Sequence, residues 1–172
     1  MTDIVLALGN KLPAPGGQRY EHVFPEKNPR WRFAQLLGPA APPVPVDGDL
    51  VLAATARGPR IVGSDYAGPL ALWVVLTNPA EGKEDAYNAW YDGRHVADTL
   101  ALPGLVAARR YAVTRSSGPQ DAQWSYLAIY EIELDRVAEA LAEAAVRAGT
   151  ERMPNPGMLA PGTAALPFRP ID

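Results

Sequence analysis

The sequence predicts an α+β fold, an antiparallel sheet with its helices on one side, over residues 68–172. Three observations predict it. Apolar or alternating runs of strand length recur after Gly68, two segments with helical spacing lie between them, and Pro-Gly or Ser-Gly turns separate the pieces.

Leu70-Ala71-Leu72-Trp73-Val74-Val75-Leu76 is a continuous apolar run, as expected of a strand buried on both faces. Thr77-Asn78-Pro79 ends it. From Lys83 to Tyr91 the spacing becomes helical, with Ala86, Tyr87, Trp90 and Tyr91 on one side, and Val96 to Leu102 adds a further turn. Pro103-Gly104 turns the chain into a second strand, Leu105 to Val113. There Leu105, Ala107, Arg109, Tyr111 and Val113 share one face, and Val106, Ala108, Arg110 and Ala112 the other. Trp124 to Ile132 is a third strand, with Tyr126, Ala128, Tyr130 and Ile132 alternating against Ser125, Leu127, Ile129 and Glu131. A helix capped by Asp135 runs to Ala148 and stops at Gly149, and Thr163 to Phe168 supplies the last strand. The order is βαββαβ, the split pattern of ferredoxin-like folds.

The helices of such a fold cover one sheet face and leave an apolar one, which a twofold copy would cover. A homodimer is therefore expected, unless residues 1–66 cover that face within one chain. Those residues differ in composition. Nine of the 18 prolines precede Ala67, many in Leu37-Gly38-Pro39-Ala40-Ala41-Pro42-Pro43-Val44-Pro45, which excludes helix and central strand there. Residues 1–67 read as a Pro-rich N-terminal extension packed on or capping the main domain, residues 68–172. Within it, Ile4 to Leu8, Leu50 to Ala56 and Arg60 to Val62 are short strands, and a helix follows Asn28-Pro29 through Trp31 to Leu37.

Composition removes several classes of function. A net charge of −3 leaves no basic footprint for nucleic acid. The absence of cysteine excludes disulfides, thiolate catalysis and thiolate metal sites. No apolar stretch approaches the ~20 residues of a membrane span, and Met1-Thr2-Asp3-Ile4 does not open a secretory signal, so a cytoplasmic location is expected. There is no phosphate-binding glycine loop and no G-x-S-x-G elbow. No cofactor and no metal are expected.

Trp90-Tyr91-Asp92-Gly93-Arg94-His95-Val96-Ala97-Asp98, then Leu102-Pro103-Gly104-Leu105 and Arg109-Arg110-Tyr111, resembles the dimeric α/β-barrel superfamily and within it the EthD-like branch. Tyr126-Leu127-Ala128-Ile129-Tyr130-Glu131-Ile132, Gly149-Thr150-Glu151-Arg152-Met153 and Phe168-Arg169-Pro170 fit the same branch. Residues 1–66 carry no such likeness. The resemblance implies a cavity between helices and sheet. Its members include cofactor-free cyclases and isomerases, cofactor-free monooxygenases of aromatic polyketides, haem enzymes, and proteins without demonstrated activity.

His95 sits where the family motif places its histidine, and imidazole exchanges a proton near neutrality. The resemblance makes it a general acid or base; its other role is that of a structural histidine at a helix end. Asp92 and Asp98 lie three residues on either side, and either could orient the ring. Tyr91 is the candidate donor to a developing oxyanion. Tyr87, Trp90, Trp73, Tyr126 and Tyr130 are candidates for substrate contact, each with an alternative place in the core. Arg109 and Arg110 point to opposite faces, and Arg109 is taken as the one that binds substrate. His22 reads as a surface or lid residue.

The function expected first is a cofactor-independent lyase, isomerase or cyclase acting on a small, apolar, aromatic or polyketide-like molecule. A cofactor-free monooxygenase and a non-catalytic small-molecule-binding or accessory protein are the alternatives.

Overall fold

In the computed structural model, which describes residues 2–39 and 49–171, strands from both ends of the chain enter one sheet. The first four are β1 (Ile4–Gly9), β2 (Gln18–His22), β3 (Phe33–Leu37) and β4 (Leu50–Ala56). A short β5 (Ile61–Val62) follows. Then come β6 (Leu70–Thr77), helices α1 (Glu84–Trp90) and α2 (Val96–Leu100), strands β7 (Leu105–Ser117) and β8 (Tyr126–Glu133), helix α3 (Val137–Arg147) and β9 (Ala164–Pro170). Of the proline-rich connector, residues 40–48 lie outside the described residues.

The strand order is β4-β1-β3-β2-β9-β6-β8-β7, and β7 pairs back onto β4, so eight antiparallel strands close a barrel. β5 adds to β7 at Ala107 and Ala108, beside the stretch that β4 occupies. The first four strands and the last four follow the same relative order, the fourth beside the first, then the third, then the second. Between β6 and β7, and between β8 and β9, the chain forms helices that pack on the outer face. In the first half the corresponding connections carry no helix among the described residues.

Alternation explains which side chains fill the barrel. Leu6 and Leu8 from β1, Leu50 and Leu52 from β4, Leu72, Val74 and Leu76 from β6, Leu127 and Ile129 from β8, and Leu166 and Phe168 from β9 form one buried cluster. Their neighbours Ala71, Trp73, Tyr126, Ala128, Tyr130 and Ile132 point outward, beneath the helices, into a second cluster with Tyr87, Tyr91 and Val96. Closure removes both sheet edges, and with them the unpaired backbone groups that an open sheet presents.

Residues 4–56 thus supply four of the eight barrel strands. The apolar face that motivated a second copy is covered by β1 to β4 of the same chain. The expected outcome in sedimentation is accordingly a single 18.4 kDa species. A stable dimer at micromolar concentration would show that some other surface associates.

Two local expectations differ. The segment Trp31 to Leu37, after Asn28-Pro29, was expected to be helical; it contains β3 instead, although Ala34, Gln35 and Leu36 are good helix formers. Two strand edges are available to it, since Ala34 pairs with Leu8 of β1 and with Tyr20 of β2, and these ladders override weak local propensity. β2 itself, Gln18-Arg19-Tyr20-Glu21-His22, had no apolar alternation to reveal it, because Gln18 and Tyr20 line the barrel mouth rather than its centre. His22 is not a surface residue. It is buried against Phe168, ring centroids 5.5 Å apart, and its Nδ1 accepts the Phe24 N–H at 3.0 Å. No helix among the described residues is long and apolar enough to cross a membrane.

Candidate functional site

The helix that leaves β6 is not regular. α1 ends at Trp90, residues Tyr91–His95 form a π-helical turn, and α2 begins at Val96, whose N–H donates to the Tyr91 carbonyl five residues back. π turns carry a cost and recur at functional positions. This one changes which side chains meet. In an α-helix residues five apart do not face each other. Here His95 stacks on Trp90, five residues earlier, at 4.5 Å and 28°, and meets the edge of Tyr91 at 4.8 Å.

Beneath the turn lie β6 and β8. Trp73 and Tyr130 pair across these strands with rings 5.8 Å apart. Tyr91 and Tyr130 are fully buried. Five buried polar atoms converge here without a hydrogen-bond partner: Trp73 Nε1, Trp90 Nε1, Tyr91 OH, His95 Nδ1 and Tyr130 OH. Among the described residues no other buried side-chain atom is left so. Each such group costs about 1–3 kcal/mol unless something pairs with it. Their concentration in one layer makes it the part of the interior richest in polar groups free to bond a small molecule or water. The two phenols perturb each other, and Thr99 perturbs Tyr130, through close hydroxyl contacts that fall short of good hydrogen-bond geometry.

Burial sets the protonation states. It pulls the His95 imidazole down to about 4; the Asp98 carboxylate acts against that and the Arg110 guanidinium with it. His95 is therefore neutral at pH 7. Burial pushes the Tyr91 phenol well above its ordinary value and raises Tyr130, so both remain donors.

The sign of the stability effect follows. The unfolded chain protonates His95 near 6.5, the folded one only near 4, so between these values the unfolded state holds more protons. Stability should fall as pH drops from about 6.5 to about 4, by about 3 kcal/mol for this residue. Burial lowers the His22 imidazole as well, which adds in the same direction. Denaturant titrations of wild type and His95→Gln across that range separate the two. Parallel profiles would mean that His95 is not held neutral by burial.

Arg110, not Arg109, enters this layer. Its side chain is 5% exposed. Its guanidinium lies 4.0 Å from the Tyr91 ring centroid and within 5.5 Å of the Tyr87 and Tyr126 centroids. It donates to the Asp92 carboxylate and, at 3.0 Å, to Asn88 Oδ1. Arg109 stands between the barrel mouth and the helix-side cleft and lines both, and its Nε donates to the Gly58 carbonyl in the wall of that cleft. The alternation separated the two arginines but gave no absolute face. The signal that could have decided it is the pair Ala108 and Ala112, small residues flanking Arg110 that leave room beneath a helix.

Asp92 was expected to be able to orient His95. It instead binds Arg110, and Arg57 at 3.4 Å. The reasons are the π turn, which breaks the three-residue spacing that would have put Asp92 over His95, and the need of a buried guanidinium for a counter-charge. Asp98 pairs with Arg94 at 3.0 Å and acts on His95 through space. Tyr87 is held by Thr77, and Tyr126 donates to Glu84 at 2.6 Å and accepts from Asn88 at 3.0 Å, so both have their partners within the protein. The structure thus brings His95, Tyr91, Trp90, Trp73 and Tyr130 together, leaves Tyr87 and Tyr126 as satisfied walls, and keeps Arg109 out of the layer but at the edge of the cleft beside it. A cleft of about 290 Å³ lined by Arg57, Asp92, Val96, Arg109 and Arg110 opens beside this layer.

Among the described residues no three His, Asp or Glu side chains are grouped as a metal would require. No protein-family model matches the chain, and no curated protein does. Solved structures are similar to it, two of which are these. One is an "anthrone oxidase-like protein", with 10% identity, a TM-score of 0.53, and coverage of 99% of this chain and 91% of that one. The other is a "putative monooxygenase" from Fusobacterium nucleatum, with 9% identity, a TM-score of 0.45, and coverage of 100% and 77%. At such identity the first likeness is one of fold, over nearly the whole chain.

Proposed function

We propose that the protein is a cofactor-independent oxygenase that acts on a small, largely apolar aromatic ketone or phenol with an acidic C–H bond, in the layer between helices and sheet. The observation that carries the reading is the convergence of five unpartnered buried polar atoms around a neutral imidazole. Kinship with the EthD-like proteins and two ferredoxin-like halves, the first without its helices, belong to the same reading. The name of the anthrone oxidase-like protein supports oxidation over isomerisation, and an anthrone has the chemistry required: a methylene between aromatic rings, acidified by a carbonyl.

In this reading substrate enters beside Val96 and stacks on Trp90 or Trp73. His95 takes the C–H proton. The electron pair moves onto the carbonyl oxygen, which accepts hydrogen bonds from the Tyr91 and Tyr130 hydroxyls. The imidazole is weakly basic in the empty site, and the enolate forming beside it supplies the missing counter-charge. The carbanion then reduces dioxygen by one electron, the pair recombines as a C–O bond, and the peroxide recovers a proton from His95. Loss of the second C–H proton breaks the O–O bond and releases water. The sum is RCH2 + O2 → RC=O + H2O.

Oxygen-electrode recordings with anthrone test this. One O2 consumed per quinone formed, well above the uncatalysed rate, is the expected result. Product without O2 uptake would replace the reading with a lyase, isomerase or cyclase using the same base. Tight binding of aromatic ketones without product would leave a carrier.

A further inference from the structure

On the opposite side of the sheet from His95, one mouth of the barrel opens into a cavity of about 410 Å³. Strand alternation gives it a largely different set of side chains, with Ala108 and Arg109 shared with the helix-side cleft. Leu72 lines it while Trp73 faces the helices, Ile129 lines it while Tyr130 faces them, and Arg109 reaches it while Arg110 does not. The inner wall is apolar, built from Leu36, Leu72 and Ile129. The rim carries Tyr20, Tyr111 and three charges.

Those charges do not cancel. Arg60 grips Glu131 with two nitrogens. Arg109 has no carboxylate partner among the described residues. Its Nε is used on the Gly58 carbonyl at 3.0 Å, and its guanidinium stands 5.7 Å from the centroid of the Tyr111 ring. Two arginines against one glutamate leave one cation uncompensated at the mouth of an apolar chamber. Tyr20 stays a neutral hydroxyl there: burial first, and Glu131 second, push it up to about 12. An apolar wall, one cation without a carboxylate partner among the described residues and fixed hydroxyls, of which Tyr111 bonds Arg109, are together what an amphipathic anion needs, and the volume is within the usual range for small ligands, about 300–1,000 Å³.

We propose that the barrel mouth is a second small-molecule site, which takes a carboxylate with a compact apolar body, the acid group on the free side of Arg109 and the body against Leu36, Leu72 and Ile129. Its apolar wall lies across the sheet from the His95 layer, with Arg109 at the boundary, since Arg109 also lines the cleft beside that layer. Adjacent arginines on one strand therefore serve two sites, Arg110 structurally in one and Arg109 as the anchor of the other.

Isothermal titration with naphthoate tests it, with naphthylmethanol as the neutral isostere. Naphthoate should bind the wild type, and the alcohol about ten- to hundredfold more weakly, the worth of one charge-assisted contact. Arg109→Gln should lose affinity for naphthoate by the same factor and leave the alcohol unchanged, and Arg109→Lys should fall between. His95→Ala should bind naphthoate as the wild type does, which separates this site from the helix-side reading. Equal affinity for acid and alcohol, equal binding by Arg109→Gln in its folded form, or loss of naphthoate binding in His95→Ala would each overturn the assignment, as would no binding to the wild type at millimolar ligand.

Discussion

His95→Ala is expected to oxidise anthrone about 10²–10⁴-fold more slowly than wild type, the usual effect of removing a general acid or base. The acid limb of the wild-type rate profile should fall near pH 4 rather than 6.5, because burial holds the free enzyme's imidazole at about 4. Tyr91→Phe and Tyr130→Phe complete the test. Each removes a buried hydroxyl that has no partner, so each should leave stability unchanged or raise it by about 1 kcal/mol while lowering turnover. That opposite movement distinguishes a site from a core. If Tyr91→Phe instead destabilises the protein and spares turnover, the hydroxyl is a structural bond and the oxyanion role is lost. If His95→Ala folds and turns over normally, proton transfer at this residue is refuted.

The residues of this layer were legible in sequence because they are chemically rare. The chain has two histidines and four tryptophans, and a histidine following a Trp-Tyr pair on a helix attracts attention without a structure. Their arrangement was not legible. A π turn leaves no simple periodic mark, so the Trp90–His95 stack looked out of phase and Asp92 looked in phase with His95. The second half's strands and helices were readable from alternation and helical spacing. In the first half β1, β4 and β5 were readable as strands, but their barrel role and the strands β2 and β3 were not, since these depend on pairing between distant segments: β3 has the composition of a helix, and β2 has the polarity of a loop. Arg109 and Arg110 show the limit most clearly. Period-two reasoning separates them without error, yet only the whole barrel says which side is inside.

Phe168→Ala should have the largest effect on stability, a loss of about 3–5 kcal/mol out of a total near 5–15. The reason lies in where the two halves join. On one side β4 and β7 pair from Val51–Ser117 to Ala56–Tyr111. On the other, β2 and β9 share three residue pairs, and one of them is Tyr20 with Pro170, which has no N–H to give. The Glu21–Arg169 ion pair across that junction is exposed on its arginine side, so Arg169→Ala should cost no more than about 1 kcal/mol. What holds the junction is burial. Phe168 is fully buried, stands opposite Leu72 on one side and His22 on the other, and belongs to the cluster that contains Leu6 and Leu52 of the first half. Urea unfolding followed by both fluorescence and circular dichroism measures it. One coincident transition, shifted far more by Phe168→Ala than by Arg169→Ala, is the result expected of a closed barrel. Two separated transitions in the variant, or a cost no greater than that of Arg169→Ala, would mean that the first half is an appendage to an independently stable second half rather than half of its wall.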